Sequence, residues 1–199
     1  VTGDQTAVEQ TGYLDPARRL RAGALLLVRY CGIHSDPRFS PWFERERDVL
    51  AGVVETARAA VRGRAGRTDF EQLRAGLDDA LESSDPEGPP FQAEIFDHLV
   101  FATGVLDVLR APEDADALNC APERADELAE AHDGMAQECG PAGGRGGAVL
   151  GALETEARRL DVSAGEDPVV ALARSEEFAA AYARSIAAYY TDADAGIGA

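Results

Sequence analysis

Glu94 and His98, four residues apart, are the pair in this sequence best placed to do chemistry. Residues at that spacing share a helical face, so on a helix the two side chains touch. A carboxylate raises the basicity of a neighbouring imidazole, and burial shifts both titrations, which suits proton transfer or the ligation of a small molecule or metal. Asp97 lies more than a quarter turn off that face, near Phe101 and Val108, and is directed at a second helix or at water. Glu94, His98 and Asp97 are therefore the candidate ligand-binding residues. The plainer alternative is a hydrogen-bonded pair at a helix-packing seam, since buried polar groups are normally satisfied without reacting.

Other constellations carry less. Cys31 and His34, three apart, can meet on one turn as a thiolate pair or half a metal site. More often such a cysteine is small core packing, and the histidine complements the helix C-terminus. A di-iron bundle needs an ExxH on each of two helices, and the chain has none. Glu127, Glu130 and His132 come nearest, but His132 points about 160° away from Glu130 around a helix, so the three cannot converge. GxSxG, HExxH and Walker sequences do not occur, and with only His34, His98 and His132 the usual general bases are scarce. No catalytic residue, metal ligand or cofactor is expected. Tyr182, Tyr189 and Tyr190, set among alanines, suit a helix-packing surface or a partner interface.

The elements that must position these residues are helical. Asp15-Pro16 gives an N-cap followed by proline, and Leu20, Ala24, Leu27, Val28 and Cys31 follow at three- and four-residue spacing, predicting a helix to about Ile33. Ser40-Pro41 repeats the signal for a second helix with Trp42, Leu50, Val53, Val54 and Val61 on one stripe, ended by Gly63 and Gly66. Thr68 and Glu71 form a capping box ahead of a third helix with Phe70, Leu73, Leu77 and Leu81. After a Pro-rich loop, residues 90–110 form the most apolar helix, expected at the centre of the bundle. Pro122 must interrupt or kink whatever spans 113–138. Gly140 to Gly147 holds five glycines in eight residues and reads as a flexible connector. Helices at about 148–160, carrying Leu150, Leu153 and Leu160, and at about 168–190 complete the chain, with fraying from Asp192. No period-two run is long enough for a strand. The expectation is an all-α, single-domain helical bundle of about seven helices over residues 1–199.

Composition narrows the partners. The chain carries 36 acidic and 19 basic side chains, all of the latter arginine, for a formal charge of −17. The imbalance is lopsided: residues 1–70 are near neutral at +2, whereas residues 71–199 stand at −19. So negative a surface repels nucleic acid and anionic lipid, leaving basic or neutral proteins as partners. Solubility alone also explains it. Three widely spaced cysteines argue against a disulfide framework and fit a reducing cytoplasm. The longest apolar run, Ala24 to Val28, is five residues, too short to span a bilayer, and no signal peptide is visible.

The order of these marks resembles the YjaG-like family of small bacterial helical proteins of unknown function, across most of the chain. Cys31 followed by Pro37 and Phe39 is similar to the family's cysteine, proline and tyrosine near the end of the first long helix. Phe70, Leu73, Leu77 and Ala80 precede a Ser-Asp-Pro loop, and Ile95-Phe96-Asp97 stands where the family places an aspartate in its most apolar helix. Asp167-Pro168-Val169 opens the last long helix, and Gly196-Ile197-Gly198 resembles the family's closing residues. Gly32 and Ile33 depart from the glutamate and arginine that usually follow the cysteine. The resemblance implies an all-α fold and supplies no reaction.

Two functions follow as expectations. The first is a cytoplasmic, non-enzymatic interaction or adaptor module with an acidic surface. The alternative is a small-molecule-binding protein or metal-dependent enzyme using an interhelical Glu94/His98 pocket.

Overall fold

Asp15 starts the first helix as its place before Pro16 requires: its carboxylate accepts from the Arg18 N–H at 2.9 Å. The helix α1 then spans Pro16–Cys31, and a short 3-10 turn, Gly32–Ser35, follows it. The computed structural model describes residues 14–35, 46–84, 90–139, 150–163 and 165–197. Further helices are α2 Arg47–Val61, α3 Arg67–Ser83, α4 Pro90–Arg110, α5 Ala115–Cys139, α6 Leu150–Asp161 and α7 Pro168–Ile197. Seven α-helices, with no strand among the described residues, make this an all-α protein. The Gly-rich stretch 140–147, the Ser40-Pro41-Trp42 start and residues 85–89 lie outside the described residues.

The centre belongs to α1. Every residue from Ala22 to Cys31 is buried, and α1 packs on α2, α4, α5, α6 and α7. The expectation that α4 would be central is corrected by that packing, for α4 packs mainly on α1, α3 and α5 and reaches α7 through His98 and Tyr182. The reason is visible in the apolar run Ala24 to Val28, which covers the whole circumference of the helix and so must be enclosed on all sides. Where α1 crosses α4 the backbones come so close that a Cβ on Gly23 would lie 2.8 Å from the Leu109 side chain. A larger residue there would force the Leu109 side chain to shift.

Local signals differ in three places. α3 starts earlier than Thr68: the Gly66 carbonyl accepts from the Asp69 N–H at 3.1 Å, and the Asp69 carboxylate accepts from the Gly66 N–H at 2.8 Å. Asp69 thus plays the part expected of Glu71, with backbone in place of the threonine hydroxyl. α5 continues through Pro122 rather than stopping there. α7 runs to Ile197, past the expected fraying point.

The sharpest departure is α6. Its apolar residues predict a leucine-faced helix, and Leu150 is buried, but Leu153 is 40% exposed while Glu154 is 0%, Arg158 8% and Asp161 3% exposed. The polar residues at i, i+4 and i+7 form the inner face because they answer an arginine on α1. Its first turn is capped from elsewhere as well: the Asp133 carboxylate of α5 accepts from the Leu150 and Gly151 N–H groups at 2.7 and 2.9 Å.

Candidate functional site

On α4, the i,i+4 spacing places Glu94 and His98 inward, 8% and 0% exposed. Their meeting is partly through the backbone, since His98 Nδ1 lies 2.7 Å from the Glu94 carbonyl oxygen and 3.4 Å from its carboxylate. A carbonyl only accepts, so Nδ1 carries the proton. Nε2 is then an acceptor, and the Tyr182 hydroxyl of α7 donates to it at 2.9 Å. Burial pushes the His98 pKa below its ordinary value of 6.5, so the ring is neutral near pH 7. Burial likewise raises the Tyr182 phenol, which remains a donor.

α5 adds a residue that sequence reasoning weighed only with Glu127 and Glu130. His132, 2% exposed, brings Nε2 to 2.9 Å from the Glu94 carboxylate and stacks edge-on to Tyr182, with ring centroids 5.0 Å apart. Its Nδ1 is buried without a hydrogen-bond partner. The signal was present, because Ala125, Leu128 and Ala129 precede His132 on the buried face of α5. As expected of the α5 trio, Glu127 and Glu130 do not join it: Glu127 pairs with Arg124 at 2.7 Å and Glu130 is exposed. Asp97 turns away from the cluster and pairs across to Arg124 at 2.7 Å, half exposed.

Tyr182 takes the helix-packing role, fully buried where α7 meets its neighbours, and not that of a partner interface. Its ring meets Tyr30 at 4.9 Å, and Tyr30 meets Phe101 and Phe178 at 5.1 and 5.3 Å. Tyr30 links this aromatic centre to a second polar cluster through its hydroxyl, 3.1 Å from Glu154 and 3.0 Å from the Ala125 carbonyl.

That second cluster is ionic. Arg29, 0% exposed, meets Glu154 at 2.8 Å and Asp161 at 2.7 Å. Burial opposes the guanidinium charge, but the two carboxylates outweigh it and hold Arg29 protonated. Arg158 reaches Asp126 at 2.7 Å and Glu154 at 3.3 Å, and Arg174 reaches Asp161 at 2.7 Å. Sequence periodicity does not single these residues out, since Arg29, Asp126 and Arg174 reach the α6 residues Glu154, Arg158 and Asp161 from three other helices.

Chemically, the Glu94-His98-His132-Tyr182 cluster can hold and relay a proton. Both ring nitrogens of His98 are already engaged, and no group of three or more His, Cys, Asp or Glu among the described residues is arranged to hold a metal ion. The two described cavities, of about 340 and 330 Å³, border neither Glu94 nor His98. Cys31 is fully buried, and burial pushes its thiol up, away from the reactive thiolate. The side chains of His34, Tyr189 and Tyr190 lie outside the described residues. No helix among the described residues is long and apolar enough to cross a membrane.

Fold and core together define the class: an all-α protein, with seven helices among the described residues, that buries two polar clusters in its core. No family model, curated protein or solved structure matches the chain.

Proposed function

We propose that the protein is a cytoplasmic, non-enzymatic interaction module that engages a basic protein through the acidic face of α5. The reading keeps the YjaG-like resemblance, which brings no reaction with it. It rests on one observation: the side chains best suited to chemistry, Glu94 and His98, are committed to internal hydrogen bonds away from the described cavities. That leaves the surface to do the work. On α5, Glu123 and Glu130 face solvent seven residues apart with no ion pair among the described residues, next to Glu127 and Asp126. Unpaired carboxylates on one face attract arginine-rich surfaces and speed encounter, with a steep dependence on salt.

The test is fluorescence anisotropy of a labelled octa-arginine peptide at increasing sodium chloride. Binding should weaken sharply with salt, and E123Q/E130Q should lower affinity several-fold, while D79N/E82N on α3 leaves it unchanged. Salt-independent binding, or equal losses from both double variants, overturns the assignment to α5. The competing small-molecule or metal reading draws on the unpartnered His132 Nδ1. Stoichiometric metal in untagged protein, with a melting point lowered by chelator, would replace the interaction reading with that one.

A further inference from the structure

The outer face of α7 has a charge pattern that is its own complement. α6 and α7 enclose an open groove of about 330 Å³, with Leu153, Ala157, Phe178 and Ala181 as its apolar lining. Of the four large apolar side chains exposed among the described residues, Leu153, Val169 and Val170 all lie on these two helices. The charges around the groove are mostly spent: Arg174 on Asp161 and Glu166, and Glu156 on Arg159. Glu177 and Arg184 remain, both exposed and neither making a hydrogen bond or ion pair among the described residues. Seven residues is two helical turns, so they share a face about 10.5 Å apart along the axis, too far to pair with each other.

We propose that this α6–α7 face binds a second copy of the chain, with the two α7 helices antiparallel about a two-fold axis between Ala180 and Ala181. The axis sets Glu177 of each copy opposite Arg184 of the other, so two ion pairs form at once around an apolar centre. Alanines at the crossing let the helices approach closely. A parallel arrangement would set like charge on like, and a uniformly basic or acidic partner would satisfy one of the two residues and repel the other. A second copy is the occupant that satisfies both. This inference is independent of the α5 reading, which uses a different helix.

The experiment is light scattering behind size exclusion, on the full chain at about 100 μM and about 0.15 M salt, where the repulsion between two acidic protomers is screened. The wild type should run as a dimer. E177R and R184E, both at exposed positions, should each keep the wild-type circular dichroism and raise the dimer dissociation constant at least tenfold. An equimolar mixture of those two variants should form a heterodimer, because each then presents two charges of one sign to two of the other. The double variant E177R/R184E should regain the wild-type dimer. A monomeric wild type, single reversals that leave dimerisation intact, or a mixture that stays monomeric overturns the proposal.

Discussion

Arg29 and His98 lie on either side of the Tyr30–Tyr182 contact, each 0% exposed, and the fold accommodates them by opposite means. Around Arg29 the charge is kept and answered, with carboxylates from α6 brought to 2.7 and 2.8 Å. Around His98 the charge is avoided: one nitrogen donates to a carbonyl, the other accepts from a phenol, and the ring stays neutral. A buried charge costs several kcal/mol unless paired, whereas a neutral imidazole needs only two hydrogen bonds. Arg29 accordingly stays charged, because burial is overcome there by two acids, and His98 is the group that protons can disturb.

The comparison breaks most visibly at Arg29. Arg29→Met leaves Glu154 and Asp161 facing each other without their shared cation, and unfolding should become easier by about 3–5 kcal/mol. For a chain of this size that lowers the melting temperature by about 10 °C or more, read by calorimetry. Arg29→Lys, which keeps the charge but cannot reach both acids in one plane, should lose less.

A smaller effect sharpens the other side. The folded pKa of His98 lies below 6.5, so the unfolded chain takes up more protons as pH falls through that value. The stabilisation is complete above 6.5 and is lost progressively below it. Between about pH 7.5 and about pH 5.5 the wild type should lose about 1 kcal/mol through this group. His98→Gln should flatten the dependence measured by urea melts at each pH. Glu94, His132 and Tyr182 surround the ring, and an unchanged slope in the variant would show that His98 is not its source.

The smallest effect belongs to the surface. Asp97→Asn removes a half-exposed pair with Arg124 and should change stability by less than about 1 kcal/mol, measured by urea melts.

The fold was largely legible because its signals are local. Asp15-Pro16, Asp167-Pro168 and the apolar spacing of α4 each fix a helix from neighbouring residues alone. The candidate site was legible only along one helix. Glu94 and His98 share a face of α4 by spacing, whereas His132 and Tyr182 reach them from α5 and α7, and no periodicity within a helix reports on a neighbour. α6 misled for the same reason. Leu153 and Leu160 suggest a buried apolar face, but the decisive fact is an arginine more than a hundred residues earlier, around which Glu154 and Asp161 had to turn inward.

That separation has a consequence during synthesis. Arg29 leaves the ribosome 125 residues before Glu154 and 132 before Asp161. Until both have emerged, the most enclosed helix of the protein holds a cation with no counter-charge, and the cation keeps its water. The early helices can assemble loosely, but α1 cannot be sealed. Final closure therefore waits for the last third of the chain, and a truncated product lacking it is left with a wet centre open to proteolysis.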